Sequence, residues 1–308
     1  LFTIGVYYFI LLAALTGWLF RGRRRQWKMG AVIALCLIWS AHWLWERPAT
    51  RLTVLPEDGG QAVYLRGPGR GNGWLVDCGD ISSVDALLKP YLRAQGVNRL
   101  PNFLLTQGEA DFTEGAQLAS DLFRPRNIYV PSIHYLSSDY NKFLAAAKTN
   151  SAFRPRVHPG DQLGPFTAFF PEGAGLVKAE DKPMLLRAEI NGTRVLLLPD
   201  LSHAGQNALL NGDTNNLRAD IVVAGVPEDG EPLGDTFLDF VQPRAVIIAD
   251  SDFSARHHAS QELRDRLAQR NVPVFYTGDT QSVTITIRPG SWKIKAMDGT
   301  GAAGAGPQ

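Results

Sequence analysis

Two long uncharged stretches at the start of the chain constrain its fold more than any other feature. Residues 1–20 carry no charged side chain, and residues 29–45 form a second uncharged run that ends with Trp43 and Trp45. Twenty apolar residues in a helix span about 30 Å, the thickness of the bilayer hydrocarbon, and Trp favours the membrane–water interface. A signal peptide fits the first run less well, because no basic segment precedes it. We therefore predict two transmembrane helices within residues 1–47.

Charge is divided unequally between this apolar head and the rest of the chain. Of the chain's 31 basic and 30 acidic residues, the first 50 residues hold six and one, which leaves 25 basic against 29 acidic in the body. The basic loop over residues 21–28 is expected to stay cytoplasmic, so the body is expected on the extracytoplasmic side of a bacterial cytoplasmic (inner) membrane. Because the sequence begins with Leu1 inside an apolar run, we expect it to be the C-terminal part of a longer protein.

The body alternates short apolar strands with amphipathic helices. Strands are expected at residues 52–55, 62–66, 74–77, 103–105, 127–130, 184–190, 194–198, 219–224, 245–249, 273–276 and 283–287, and helices at 83–95, 113–122, 135–148 and 259–270. Ser82 or Ser83 is the expected N-cap of the first helix, and Asn191-Gly192 marks a hairpin. This order predicts an α/β sandwich over residues 48–290, with two mixed sheets face to face and helices outside. Residues 291–308, which are Gly/Ala-rich after Met297, are expected to be a disordered tail.

Several other classes of site are not supported. The two cysteines exclude a disulfide scaffold, and Cys78 has no histidine near it in sequence. Neither a P-loop nor a G-x-G-x-x-G turn follows a predicted strand. The tetrapeptide Phe-Arg-Pro-Arg occurs twice, with Arg124 and Arg126, and with Arg154 and Arg156; solvated loops explain it better than nucleic-acid contacts.

The loops resemble, in order, those of metallo-β-lactamase-fold hydrolases. Residues 104–115 resemble the Thr-His-x-His/Asp-x-Asp-His loop of that fold, and Asp200 lies where a metal-bridging Asp ends a strand. Residues 52–63, 76–79, 225–230 and 243–267 are similar to further motifs of the competence-protein branch. Two membrane helices before such a domain are typical of the ComEC family of DNA-uptake channels, so the resemblance implies an αββα sandwich preceded by two transmembrane helices.

The metal ligands of that motif set are mostly replaced. Gln107 and Phe112 stand at two histidine positions, and Glu228 and Asp229 replace a His-His pair, whereas Asp111 and Asp200 are kept and Glu109 stands where the branch often has Asp. A dinuclear centre needs several imidazoles beside its carboxylates, so the sequence predicts no zinc. If a metal binds at all, the candidate ligands are Glu109, Asp111, Asp200, Asp229 and His257; such a carboxylate-rich set suits Mn²⁺ or Mg²⁺.

Two functions follow from the resemblance. The first is a non-catalytic domain at the C-terminal end of a ComEC-like channel, which scaffolds or gates DNA import. The alternative is a membrane-anchored, metal-dependent phosphodiesterase or nuclease. The expected partners are the lipid bilayer, upstream channel helices of the same protein, single-stranded DNA and other uptake proteins. The net charge of −4 in the body does not itself predict contact with DNA.

Overall fold

The computed structural model describes residues 30, 32–34, 36–37, 40, 49–57, 61–69, 71–172, 176, 181–212, 217–227, 231–251 and 258–306. The chain divides into two compact units, Leu1–Ala49 and Thr50–Gln308. In the first unit, the described residues 30, 32–34, 36–37 and 40 are helical. No helix formed by described residues is both long enough and apolar enough to cross a membrane. The two predicted membrane spans fall almost entirely outside these residues.

The second unit is built from fifteen described strands in two sheets. The strands are β1 (Thr50–Leu55), β2 (Ala62–Arg66), β3 (Gly73–Val76), β4 (Asn102–Leu104), β5 (Asn127–Tyr129), β6 (Gln162–Leu163), β7 (Phe166–Phe169), β8 (Leu185–Ile190), β9 (Thr193–Leu198), β10 (Ile221–Gly225), β11 (Ala245–Ala249), β12 (Val274–Tyr276), β13 (Val283–Arg288), β14 (Ser291–Ala296) and β15 (Gly301–Ala305). Sheet 1 has the order β15-β14-β13-β1-β2-β3-β4-β5, and sheet 2 has the order β12-β11-β10-β9-β8-β7-β6.

Both sheets are mixed, as the sequence predicts. In sheet 1, β3, β4 and β5 are parallel and the other neighbours are antiparallel. In sheet 2, β9 to β12 are parallel and β6 to β9 are antiparallel. The continuous apolar sequences of β10 and β11 are buried at every position, which parallel strands covered on both faces require.

Helices pack on the outer faces of the sheets and cover part of sheet 1. They are α1 (Ile81–Ser83), followed by a π-helical turn (Val84–Leu88), α2 (Lys89–Ala94), α3 (Ala110–Thr113), α4 (Ala116–Phe123), α5 (Ser138–Lys148), α6 (His203–Asn211), α7 (Asp235–Val241), α8 (Gln261–Ala268) and α9 (Thr277–Thr280). One apolar cluster lies between the sheets, where Trp74 contacts Phe166. A second packs Leu92 and Phe123 on sheet 1, and a third packs Phe237 and Leu263 on sheet 2. The four layers form an α/β, metallo-β-lactamase-like fold.

The first helical segment begins earlier than its pattern predicts. Asp80 is the N-cap, because its carboxylate accepts bonds from Ser83 N at 2.7 Å and Ser82 Oγ at 2.6 Å. The prediction of Ser82 or Ser83 as the cap was therefore wrong. The π-helical turn precedes Pro90, which has no N–H to donate and whose ring would clash with the carbonyl four residues earlier.

The prediction of a disordered tail at 291–308 is corrected for the part that the structure describes. β14 pairs with β13 along six residues, and β15 pairs with β14 from Gly301 to Ala305. Small residues are needed in β15, since a side chain at Gly304 would meet the ring of Trp292 at 2.4 Å. A Gly/Ala-rich composition therefore serves here to let an edge strand lie flat over a buried indole.

Candidate functional site

The loops that carry the motif residues gather at one end of the sandwich. In sheet 1 this end receives the β1–β2 loop and the loops that follow β3 and β4, because Val76 of β3 pairs with Val63 near the start of β2. Sheet 2 joins them through Met184, just before β8, whose N–H donates to the carbonyl of Thr106 at 2.9 Å. Since β8 is antiparallel to β9, the parallel strands β9 to β11 also end here. We call this the motif end.

Asp77 fastens the first two motif loops together. Its carboxylate accepts hydrogen bonds from Thr106 N at 2.7 Å and Thr106 Oγ1 at 2.6 Å, and its own N–H donates to Leu104 O. Burial raises the pKa of Asp77 to about 7, although the bonds from Thr106 and the nearby Gln61 lower it. The residue has a φ of 54°, a left-handed conformation uncommon outside glycine. Asp77 thus positions the loop after β4 and is itself fully enclosed.

Glu57 is a second buried carboxyl, pressed against the backbone at Gly79. A Cβ at Gly79 would lie 1.9 Å from Glu57 Oε2, and Gly79 has a φ of 71°. Neither oxygen of Glu57 has a hydrogen-bond partner among the described residues. Burial, with the charges of Asp80 and Asp77, raises the pKa of Glu57 well above its ordinary value. A carboxyl in this environment favours its protonated form.

Cys78 follows Asp77 directly in the chain and is also enclosed. Its thiol donates weak bonds to Phe112 O at 3.6 Å and Gly79 O at 3.7 Å. Burial raises the pKa of this thiol well above its ordinary value, and Glu57, Asp77 and Asp80 add to the shift. The thiolate form needed for nucleophilic or metal chemistry is therefore disfavoured.

The two residues that replace histidines in the loop after β4 are completely buried. Gln107 and Phe112 each have 0% of their surface exposed. The side-chain amide of Gln107 has no hydrogen-bond partner among the described residues. Phe112 is the third residue of the single-turn helix α3, and its phenyl ring has no atom that could ligate a metal. These two positions fill space at the motif end instead of supplying nitrogen ligands.

Tyr135 covers this loop, a contact that the sequence analysis did not identify. A Cβ at Gly108 would lie 2.4 Å from the Tyr135 side chain, so the ring packs directly on the glycine. The Tyr135 hydroxyl donates to Lys182 O at 3.4 Å. Burial raises the pKa of Tyr135, and the charge of Glu109 raises it further. Glu109 and Asp111 themselves are half-buried.

Asp200 follows β9 and is buried against the next strand. A Cβ at Gly225, the last residue of β10, would lie 2.2 Å from its Oδ1. The adjoining loop is fixed by Ser202, whose hydroxyl donates to Asp181 Oδ1 at 2.5 Å. His203 is exposed at the start of α6, where a Cβ at Gly234 would meet its imidazole at 3.3 Å.

Asp250 fastens the loop that follows β11, and it too was not singled out from the sequence. This buried carboxylate accepts a bond from Gly278 N at 2.8 Å and lies 3.2 Å from the Arg264 guanidinium and 3.8 Å from His258 Nδ1. Burial raises the pKa of Asp250, while these partners lower it. Arg264 also pairs with Asp279 and lies 4.0 Å over the ring of Tyr276.

The described donor set does not fit the two-metal centre of the resemblance. Among the residues that the structure describes, no three His, Cys, Asp or Glu side chains gather closely enough to hold a metal ion. The buried amide of Gln107 and the ring of Phe112 are also unsuited as ligands. Glu228, Asp229 and His257 lie outside the described residues. The structure therefore places Gln107, Glu109, Asp111 and Phe112 on one loop and Asp200 at the same end, without assembling a metal site from them.

Two of the four repeated arginines, Arg154 and Arg156, are used in hydrogen bonds within the domain, whereas Arg124 and Arg126 are exposed. Arg154 donates to Asn127 Oδ1 at 2.6 Å and to Arg126 O at 3.3 Å, and Arg156 donates to Ser132 O at 3.2 Å. These bonds tie residues 153–157 to the edge strand β5, beside which they run in parallel. Arg124 takes a left-handed conformation at the end of α4.

No family model matches the chain. Among curated proteins it is similar to ComE operon protein 3 of Bacillus subtilis (strain 168), with 23% identity over 240 residues that cover 77% of this chain and 30% of the relative. It is also similar to Competence protein ComA of Neisseria gonorrhoeae, with 21% identity over 251 residues that cover 81% of this chain and 34% of the relative. The chain spans about a third of the length of these two curated relatives.

Solved structures share the fold. A point variant of the CmlA β-hydroxylase has a TM-score of 0.52 at 14% identity, covering 77% of this chain and 54% of that one. Igni18, described as a novel metallo hydrolase from the archaeon Ignicoccus hospitalis, has a TM-score of 0.50 at 11% identity, covering 77% and 98%. At these identities the likeness establishes architecture alone.

Proposed function

From the premise that this chain is a ComEC-type protein with a metallo-β-lactamase-like domain, we propose that the domain serves DNA uptake without catalysing a reaction. The complete burial of Gln107 and Phe112, at positions where the resemblance expects imidazole ligands, is the observation that carries this proposal. A buried amide and a phenyl ring cannot supply the nitrogen ligands that hold zinc. The domain would then scaffold or gate import.

The enclosed carboxyls at the motif end support the same conclusion. The Asp77 carboxylate accepts hydrogen bonds from the backbone N–H and the hydroxyl of Thr106. The Asp250 carboxylate accepts a bond from a backbone N–H and pairs with Arg264. Groups used in this way position loops and do not reach a substrate. A site that has lost its catalytic ligands still needs such bonds, because the loops would otherwise expose unpaired backbone groups.

The proposed setting is a bacterial cytoplasmic membrane. Residues 1–47 would form two transmembrane helices joined by the cytoplasmic basic loop, with the domain on the extracytoplasmic side. Upstream channel helices of the same protein, single-stranded DNA and other uptake proteins are its proposed partners. A reporter fused after Glu46 tests the sidedness: a periplasm-dependent reporter should be active, and activity of a cytoplasm-dependent reporter alone would reverse the orientation.

A metal-dependent hydrolase is the second candidate. It is favoured by the half-buried Glu109 and Asp111 on one motif loop and by Asp200 at the same end of the sandwich. Together with Asp229 and His257 they would suit Mn²⁺ or Mg²⁺, which prefer oxygen ligands, better than Zn²⁺. Bound, such an ion would polarise a phosphodiester oxygen.

Metal analysis of the full 308-residue chain in detergent separates the two candidates. The first predicts substoichiometric metal after titration with Mn²⁺ and Zn²⁺, and no cleavage of single- or double-stranded DNA. Stoichiometric binding that Asp200→Asn removes, but that Asp85→Asn leaves intact, would overturn it. Asp85 is a suitable control because it is an exposed carboxylate that pairs with Lys89 on the first helical segment, away from the motif loops.

A further inference from the structure

The outer face of sheet 1 differs sharply between its two halves. Helices cover the half formed by β2 to β5, where Tyr64, Leu75 and Phe103 join the apolar cluster beneath them. No described residue of β13, β14 or β15 belongs to that cluster. Instead, Lys293 and Lys295 are exposed, while Thr284 and Thr286 are partly exposed. This half of the sheet is open to solvent on a polar face.

The strands of the open half, together with the neighbouring β1 and β2, carry positive charge only. Strands β1, β2, β13, β14 and β15 contain five basic residues and no Asp or Glu. The pleat directs all five to the outer face, since the residues between them are buried in the core between the sheets. We call this set the basic face; its members are Arg51, Arg66, Arg288, Lys293 and Lys295. Between Arg51, Arg66 and Lys295 lies a depression of about 480 Å³.

The basic residues lie mostly at the end of the sheet opposite to the motif end. Arg51 pairs across the strands with Arg66 on one side and with Thr286 on the other, and Thr286 pairs with Lys293. This row crosses the start of β1, the end of β2 and the start of β14. The motif end, in contrast, carries the partly exposed acidic residues Asp80, Glu109 and Asp111. Basic and acidic residues thus lie at opposite ends of the strands. The charge distribution of the sheet is therefore dipolar along the strand direction.

The same end is the one joined to the apolar head of the sequence. Only five residues separate Trp45, the last residue of the second uncharged run, from Arg51. An extended chain covers at most about 3.6 Å per residue, so a membrane-embedded run would keep Arg51 within about 22 Å of its end. A polybasic surface so close to a bilayer is attracted by anionic headgroups.

We infer that the basic face docks on an anionic lipid surface and holds the motif end away from the membrane. This inference rests on the proposed membrane anchoring of residues 1–47. Nucleic acid is the less favoured occupant of the face, because single strands are bound by open aromatic rings together with cations. Tyr64 is only 4% exposed and its ring meets that of Tyr91 edge-on at 6.2 Å. Binding of phosphate headgroups, in contrast, requires only the positive charges of the basic face.

The inference is tested with the full chain reconstituted in bilayers of zwitterionic lipid with or without phosphatidylglycerol. Cys36 is replaced by Ser, and a fluorophore is attached through Ser291→Cys or Asp298→Cys, which are exposed sites near opposite ends of β14. Energy transfer to a headgroup-labelled lipid reports the distance of each label from the bilayer. With phosphatidylglycerol, the label at 291 should transfer more energy than the label at 298, and high salt should reduce the difference.

Charge reversal supplies the decisive comparison. Each basic residue near an anionic surface favours docking roughly fivefold, so Arg51→Glu with Lys293→Glu should lower the ratio of docked to undocked molecules by at least roughly 25-fold. The matched control, Lys142→Glu with Lys148→Glu, changes charge equally on α5 and should leave the transfer unchanged. Circular dichroism confirms that both variants are folded.

The remaining outcomes overturn the inference in distinguishable ways. A chain that an alkaline wash removes from the vesicles would overturn the membrane anchoring and this inference with it. A chain that stays anchored but shows equal transfer with and without phosphatidylglycerol would overturn the docking alone. Binding of a single-stranded oligonucleotide that the double reversal abolishes, with no lipid dependence, would reassign the face to nucleic acid.

Discussion

Two buried carboxylates fasten loops at the motif end, and they differ in how their charge is balanced. Asp77 after β3 is held by hydrogen bonds from Thr106, with no cation beside it among the described residues. Asp250 after β11 is held by backbone N–H groups and also by the guanidinium of Arg264. Burial raises the pKa of Asp77 to about 7, whereas Arg264 and His258 oppose the rise at Asp250.

The difference shows two ways in which a fold can hold a buried carboxylate. Hydrogen bonds alone can hold a loop, but a carboxylate without a cation keeps much of its desolvation cost. Burial, with the charges of Asp80 and Asp77, also raises the pKa of the neighbouring Glu57. The first pair of loops is therefore expected to be sensitive to pH and to steric change, and the second to depend on its arginine.

The largest expected effect is on the pH dependence of stability. Because the pKa of Asp77 is higher in the folded than in the unfolded chain, the folded state binds more protons between pH 4 and pH 7. The free energy of unfolding should therefore fall as pH rises through this window, by on the order of 4 kcal/mol from Asp77 alone, and Glu57 acts in the same direction.

Urea unfolding of the full chain in detergent, followed by circular dichroism at pH 5 and pH 8, measures this fall. Asp77→Asn keeps a hydrogen-bond acceptor for Thr106 N and removes the titration, so it should make the fall shallower. Asp250→Asn should alter the slope less. Equal slopes for wild type and Asp77→Asn would contradict the assignment of the buried charge to Asp77.

Removing the hydrogen bonds of Asp77 should have the next largest effect. Asp77→Ala leaves the N–H of Thr106 buried without its acceptor, which should lower the free energy of unfolding by about 3 kcal/mol at pH 7. Asp85→Ala, at an exposed helical position, should change it by less than about 0.5 kcal/mol. A loss below 1 kcal/mol for Asp77→Ala would mean that the loop after β4 is held by other contacts.

Gly79 and Gly96 form a matched pair that isolates the contact with Glu57. Both have left-handed φ values, 71° and 75°, but a Cβ at Gly79 would strike Glu57 whereas one at Gly96 meets nothing within 4 Å. Gly96→Ala should cost about 1 kcal/mol, the conformational penalty, and Gly79→Ala about 2 kcal/mol more, since the carboxyl must move. Thermal melting of both variants measures the two losses of stability. Equal losses would show that the Glu57 side chain moves aside without cost.

The smallest expected effect is the difference in stability between variants of two arginines of α8. The side chains of Arg264 and Arg266 are equally exposed, at 21%, but only Arg264 pairs with a fully buried carboxylate. Arg264→Met should cost about 2 kcal/mol by leaving Asp250 without its cation, and Arg266→Met less than about 1 kcal/mol. If both cost the same in urea unfolding, the guanidinium does not balance Asp250.

The elements of the domain were largely predictable from local patterns. The strands at 62–66 and 245–249 are found at the predicted bounds, and the Asn191-Gly192 hairpin joins β8 to β9 as its turn chemistry requires. The pattern missed β6 and β7, which are short, and α6 and α7, whose helical spacing is weak. It also failed to predict β15, because a run of small residues is typical of a disordered segment. The strand forms because it pairs with β14 and packs over the buried Trp292.

The site was less predictable than the fold. The motif positions Gln107, Glu109, Asp111, Phe112 and Asp200 were located by their order along the chain, and the structure brings them to one end. Asp77 was noted only as part of a strand-end motif, and Glu57, Tyr135 and Asp250 were not singled out. Their roles depend on burial and on contacts with residues 8 to 47 positions away, and no local pattern signals either.

The sequence by itself determined the layered α/β architecture, because the alternation of apolar strands and amphipathic helices depends on neighbours within a few residues. It also determined which ligand types are present, since no arrangement turns Gln107 or Phe112 into an imidazole. Only the tertiary structure decided that these two side chains are sealed in, that carboxyls gather at one end of sheet 1, and that basic residues occupy the other. Burial and the separation of charge arise when distant strands align, so they belong to the folded chain as a whole.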